Sequence, residues 1–266
     1  MIYKFFYFLF KIFPGFRRWF WKKWYNMFAK KVHEIQFMNY GYSSKDLVLD
    51  LKEEDVHNRY PIYLYHHVAS QTDLTDKKVL EVGSGRGGGA SYVARYMNPS
   101  EIIGLDISES AVKNCNETYK IDNLSFLAGD SEKLPFKDNY FDAVLNIESS
   151  HCYGSMSKFI NEVIRVLKPG GYFLFCDLRK NTLVNEMMSS INTDNLQLIN
   201  QKDITSNIIK ATTLMSKERK KSIKELESGF FKKVLESFAA VEGSKVHNSF
   251  KDGYFKYISA YCQKKE

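Results

Sequence analysis

The segment Val79–Met97 most narrows what this chain can fold into. An apolar run (Val79, Leu80, Val82) leads into a glycine-dense turn, and helix-forming residues follow at once. Gly83, Gly85 and Gly87 let a backbone turn without a Cβ clash and approach a ligand closely. The spacing predicts a helix beginning near Gly88 or Gly89, with its free N–H groups aimed at that ligand. A second apolar run, Ile102 to Leu105, ends in Asp106, one βαβ unit downstream. An acid there is placed to accept hydrogen bonds from ribose hydroxyls. The pattern predicts a nucleoside-binding half-sheet.

Two nucleosides compete for it. Gly83, Gly85 and Gly88 satisfy the G-x-G-x-x-G of a dinucleotide site. Glu81 in front gives E-x-G-x-G-x-G, which resembles the first motif of class I S-adenosylmethionine (SAM) methyltransferases. Glycine spacing alone does not choose between them, but the chain downstream does. Leu127–Ser131 ends a third strand with Asp130, where such methyltransferases hold the adenine amino group. Phe141–Asn146 reads as a fourth strand. Residues 155–167 read as a helix, with Phe159, Val163 and Leu167 on one face. The L-K-P-G-G turn at 167–171 stops that helix, and Tyr172–Asp177 is the fifth strand. No Tyr-x-x-x-Lys pair stands where a short-chain dehydrogenase needs one. This reading puts Glu81, Gly83, Ser84, Gly85, Asp106, Ile107, Asp130, Ser131 and Asn146 around SAM.

Length allows one α/β domain and an appendage in 266 residues. The expected architecture is a doubly wound, seven-stranded, mostly parallel sheet over residues 34–266, its last strand antiparallel. Val246–Phe250 and Tyr254–Cys262 read as the final two strands, joined at Asp252-Gly253. Residues 183–240 read as mostly helical. Cys115, Cys152, Cys176 and Cys262 form no C-x-x-C pair, which argues against a disulfide framework or zinc site and for a reducing compartment. No metal ligand set is expected.

Residues 1–33 carry eight of the 38 Lys and Arg and none of the 31 Asp and Glu. The rest is nearly neutral, so the formal charge of +7 belongs to this arm. All three tryptophans (Trp19, Trp21, Trp24) lie in it, among many Phe and Tyr. Basic residues interleaved with aromatics suit the headgroup layer of an anionic membrane. The apolar run Phe5–Phe10 is far shorter than the roughly 20 residues a membrane span needs. It also lacks a secretory cleavage site. Pro14-Gly15 divides the arm into two amphipathic pieces, for which packing on the domain and a homodimer interface are the alternatives. Nucleic-acid binding is not expected, because no basic excess continues into the domain. The expected place of action is cytoplasmic, peripheral to a membrane.

Chemistry is expected just past the fourth strand, in N146-I-E-S-S-H-C-Y153. An alcohol is a poor nucleophile until its proton is removed, so O-methylation calls for a base. His151 lies on the loop facing the cofactor at the carboxyl edge of the sheet. Asp177, ending the fifth strand, opens on the same crevice and could orient the imidazole. His66 and His67 are the rivals. Phe37–Tyr42 could close over the cofactor, and Asn58–His67 reads as a lid helix beside it.

The glycine loop, V-L-N-I-E-S-S-H-C-Y and L-K-P-G-G-Y-F with C-D-L-R179 together resemble the mycobacterial phthiotriolone and phenolphthiotriolone dimycocerosate methyltransferases. The likeness covers about residues 35–265. It is specific in the glycine loop and E-S-S-H-C-Y, and loose from 180 to 240. Related O-methyltransferases of natural-product sugars carry a similar E-S-S-H motif. There the histidine and the strand-five acid are assigned to deprotonating the hydroxyl. The resemblance therefore implies methylation of a lipid or polyketide hydroxyl, with residues 183–240 capping the acceptor pocket. A C- or N-methyltransferase of a quinone, sterol or phospholipid headgroup, and a non-enzymatic membrane protein keeping the fold, are the alternatives.

Overall fold

The computed structural model describes residues 35–226 and 239–266. The amphipathic arm expected over residues 1–33 lies outside them. Seven strands form one sheet in the order β3-β2-β1-β4-β5-β7-β6. They are β1 Lys78–Val82, β2 Glu101–Asp106, β3 Leu124–Ala128, β4 Phe141–Ile147, β5 Leu167–Lys180, β6 Leu196–Asp203 and β7 Phe255–Lys264. β1 to β5 are parallel, while β7 runs antiparallel to both β5 and β6. The helices are α1 Arg59–Ala69, α2 Gly88–Tyr96, α3 Glu109–Thr118, α4 Met156–Val166, α5 Val184–Ile191, α6 Thr205–Leu226 and α7 Lys245–Lys251. This is the doubly wound, mostly parallel sheet that the sequence predicts.

Strand alternation sorts the core into two layers. Val79, Ile102, Leu145, Ile147, Leu174 and Cys176 face one side, with Ile62, Leu64 and Val68 of α1 and Val93 of α2. Leu80, Val82, Val144, Phe173 and Phe175 face the other, with Phe159, Val163 and Val166 of α4 and Met187 and Ile191 of α5. Both faces of β1, β4 and β5 are thus buried, which is why these strands read as nearly unbroken apolar runs. All four cysteines are buried, and none is in a disulfide.

Two expectations need correction. Val246–Phe250 is part of a helix, α7, rather than a strand. Ser244 caps it by accepting the His247 N–H, and the two residues it buries, His247 and Phe250, stand three apart. The missing strand lies inside the segment expected to be mostly helical, as β6 at the sheet edge. Only Leu196 of β6 is buried, so its apolar residues carry little strand signature. No helix among the described residues is long and apolar enough to cross a membrane.

Candidate active site

The carboxyl ends of β1, β2 and β4 open on one cleft. Its walls include Gly83, Ser84, Gly85, Asp106, Ile107 and Ser131 from the sequence-derived set, with His151 beyond β4. Gly83 follows β1 with φ of 82°, a left-handed conformation that L side chains rarely adopt. A Cβ there would also fall 2.3 Å from the Ser149 hydroxyl. The loop is pinned to β2: the Gly83 N–H donates to the Leu105 carbonyl at 2.7 Å, and the Gly85 N–H donates to Asp106 Oδ2 at 2.9 Å. Ser108 N–H donates to Asp106 Oδ1 at 2.8 Å. Burial raises the Asp106 pKa against the pull of these bonds.

Glu81 lies one layer below the loop and is 1% exposed. Tyr65 of α1 donates its hydroxyl to Glu81 Oε1 at 2.6 Å. Gly89 makes that contact possible, since a Cβ at this position would stand 1.9 Å from the Tyr65 ring. Burial pushes the Glu81 pKa up to about 7, although the Tyr65 hydrogen bond pulls it down. Glu81 Oε2 and Ser84 Oγ are buried without a hydrogen-bond partner among the described residues.

Glu81, Asn146, Asp130 and Asp177 do not themselves line the cleft. Asn146 Nδ2 approaches the Val82 carbonyl at 2.8 Å, Ser149 Oγ at 2.8 Å and the Tyr153 hydroxyl at 2.9 Å. It thereby ties β4 to β1 beneath the glycine loop. Asp130 Oδ1 accepts the Glu132 N–H at 3.0 Å.

His151 and Asp177 meet as the sequence predicts. A short 3-10 turn, Ser150–Cys152, carries the histidine over the end of β5. Its Nδ1 lies 2.8 Å from Asp177 Oδ1, and its backbone N–H donates to Oδ2 at 2.8 Å. Ser150 donates its hydroxyl to Oδ2 at 2.5 Å, and Arg179 stands 3.0 Å from the same oxygen. Asp177 is fully buried, and despite that its charged partners and donors hold its pKa well below the usual carboxylate range. The His151 side chain is 27% exposed. Burial alone would lower its pKa, but Cys152 and the Asp177 carboxylate outweigh it and raise the value to about 10. The rivals are placed elsewhere. His66 bonds the Tyr92 hydroxyl, and His67 stacks on Tyr42, with burial first among the causes that lower its pKa to about 4.

Glu148 is a cleft residue that sequence reasoning passed over, as are Arg86 and Glu132. Glu148 Oε2 accepts the Tyr40 N–H at 2.9 Å and the Tyr257 hydroxyl at 2.7 Å. Burial pushes its pKa up to about 7 against those bonds. The available signal was its place in N-I-E-S-S-H, at the end of a buried strand. The strap from Gln36 to Tyr40 closes one side of the cleft, and Phe37 packs edge-on against Tyr65 with ring centroids 5.9 Å apart.

Comparison with known proteins agrees with this geometry. Residues 74–242 match the family model described as a methyltransferase domain. The phthiotriol/phenolphthiotriol dimycocerosates methyltransferase of Mycobacterium tuberculosis H37Rv is 35% identical over 249 residues, covering 92% of each chain. A fatty-acid O-methyltransferase of Mycolicibacterium smegmatis is 43% identical over 181 residues, 68% of this chain and 66% of that one. Among solved structures, the geranyl diphosphate C-methyltransferase of Streptomyces coelicolor A3(2), crystallised with S-adenosyl-L-homocysteine, superposes with a TM-score of 0.69. It is 15% identical and covers 93% of this chain and 98% of its own. The [4+2]-cyclase SpnF superposes with a TM-score of 0.64 at 22% identity, covering 85% and 86%. These two likenesses show the fold alone.

Sheet, cleft and family model define a class I, S-adenosylmethionine-dependent methyltransferase. Within that class, the chain belongs to the family of the phthiotriol/phenolphthiotriol dimycocerosates methyltransferases. The non-enzymatic alternative thereby loses its support.

Proposed function

We propose that this enzyme O-methylates a hydroxyl of a lipid or polyketide-type acceptor, with His151 as general base and Asp177 as its orienting partner. The observation that carries this reading is the 2.8 Å contact between His151 Nδ1 and the buried Asp177 carboxylate. Held through Nδ1, the ring keeps Nε2 for an acceptor proton. The cofactor supplies an electrophilic sulfonium methyl, so the chain's own work is alignment and proton removal.

The residues present fit that cofactor. Asp106 and Ile107 suit the nucleoside, with Ser131 and the neighbouring Asp130 toward the base. Gly83, Ser84 and Gly85 suit the amino-acid portion, with Glu81 and Asn146 supporting them from below. The unpartnered Ser84 Oγ, on the cleft wall, supplies spare hydrogen-bonding capacity at this loop. The acceptor class draws on the names of the relatives, a phthiotriol/phenolphthiotriol dimycocerosates methyltransferase and a fatty-acid O-methyltransferase.

The test is His151→Gln, assayed with a hydroxylated lipid acceptor while SAM affinity is followed separately. Turnover falls by roughly a hundredfold or more if His151 is the base, with SAM affinity retained. Near-normal turnover removes the assignment. A second reading follows from the fatty-acid relative. A carboxylate acceptor needs no base, and a protonated His151 would then hold the anion. The pH profile separates the two. With a hydroxyl acceptor, kcat/KM climbs as pH rises toward about 10, where the free-enzyme imidazole loses its proton. With a carboxylate acceptor it declines over the same range.

Residues 1–31 are proposed to rest on an anionic membrane surface, from their charge and aromatic content. A protein lacking them should leave anionic vesicles while keeping its affinity for S-adenosylhomocysteine. Unchanged vesicle binding would refute the membrane role.

A further inference from the structure

Glu148 lines the cleft yet has no part in the proton transfer proposed above. It stands one residue past β4 with φ of 55°, in the left-handed region that residues other than glycine avoid. Such a conformation persists where surrounding contacts over-determine it. Its N–H donates to the Cys176 carbonyl at 2.7 Å, holding the backbone to β5. Its Oε2 links Tyr257, fully buried in β7, to the backbone of Tyr40 in the strap, and both rings also pack against Phe250 of α7.

The strap lies against the glycine loop. The Gln36 carbonyl accepts the Gly88 N–H at 3.3 Å, and a Cβ on Gly85 would come within 2.6 Å of Met38 Cε. Its other ties run to the helices. Asn39 Nδ2 donates to the Pro61 carbonyl at 3.3 Å, and Arg219 of α6 donates to the Asn39 carbonyl at 3.0 Å. The bond to Glu148 is the tie that comes from the carboxyl edge of the sheet, beside His151.

We propose that Glu148 is a positioning residue for the cofactor: its carboxylate pins Tyr40, and with it the Gln36–Tyr40 strap, across the glycine loop. A cofactor seated on the loop is then covered by the strap, and release requires this pin to break. The inference concerns SAM, and stands apart from the acceptor reading. Hydrogen bonds to a carboxylate are stronger than those to a neutral oxygen, so glutamine replaces the pin in part and leucine not at all.

The experiment uses the full chain as wild type, Glu148→Gln and Glu148→Leu. S-adenosylhomocysteine is titrated by calorimetry. Amide exchange is followed at Tyr40, with Val79–Val82 of β1 as the internal control. The leucine variant should bind S-adenosylhomocysteine roughly tenfold more weakly, the loss of one charge-assisted bond. Tyr40 protection should fall while β1 keeps its own, and glutamine should recover part of both. Unchanged S-adenosylhomocysteine affinity in the leucine variant overturns the proposal, whatever the protection at Tyr40. So does a parallel loss of protection in β1, which would make Glu148 a part of the fold rather than a pin. If the leucine variant does not fold, Glu148→Gln and Tyr257→Phe carry the same test. Each should weaken binding a few-fold and loosen Tyr40, and unchanged protection in both overturns the pin.

Discussion

Asp177 shows how much one buried carboxylate can organise. It receives the His151 ring and backbone, the Ser150 hydroxyl and the Arg179 guanidinium without being exposed at all. Asp177→Asn keeps the shape but removes the charge, leaving two cationic partners uncompensated. Stability should drop by about 3 kcal/mol, read by chemical denaturation. Glu81 behaves in the opposite sense. Its pKa is raised to about 7, so the apo protein loses stability as pH rises from the unfolded value near 4.5 through 7. Glu81→Gln keeps an acceptor for Tyr65 and avoids a buried charge. The apo protein should gain on the order of 2 kcal/mol above pH 7, while S-adenosylhomocysteine binds more weakly. Equal melting temperatures at pH 8 would refute this. Glu81, Asp106, His151 and Asp177 were legible as residues, because each stands at a fixed offset from a strand end. Glu148 was not: a carboxylate in a motif does not announce its partners, and Tyr40 and Tyr257 lie 108 and 109 residues away.

At the scale of elements, the glycine loop serves packing. α2 can sit against α1 only because Gly89 has no side chain under Tyr65. Gly89→Ala must push a buried ring aside and break its bond to Glu81. We expect a cost of about 2 kcal/mol, and a matching loss of S-adenosylhomocysteine affinity. Normal stability with normal binding would show that α1 can shift freely. The central strands and α2 were legible because their apolar patterns are strong and both faces are buried. β6 and α7 were misassigned for a common reason. β6 is an edge strand with one buried residue, and α7 is seven residues long. Elements this short and this exposed carry too few apolar positions to show a period.

For the molecule as a whole, pH joins these sites into one curve. The His151 pKa is raised to about 10, so its contribution is full below the unfolded value near 6.5 and fades as pH rises toward 10. Asp177 is depressed, so its contribution is full above the unfolded value near 3.9 and is lost in acid. The pair therefore stabilises most between about pH 4 and 6.5. His151→Gln should flatten the alkaline limb of a melting-temperature profile, and an unaltered limb would contradict the assigned pairing.

The sequence by itself determined the parallel half of the sheet, the glycine loop and the offsets of the acids at its strand ends. These are local matters: glycine spacing, apolar runs and capping act within a few residues. It also marked His151 and Asp177, since both strand ends must reach the same edge of a parallel sheet. Only the tertiary structure decided what those residues touch. It placed Asn146 beneath the loop rather than in the cleft. It routed the seventh strand through Leu196–Asp203, and it brought Tyr40 and Tyr257 onto Glu148. Those outcomes depend on which distant surfaces exclude water together, and on which buried polar atoms then find partners.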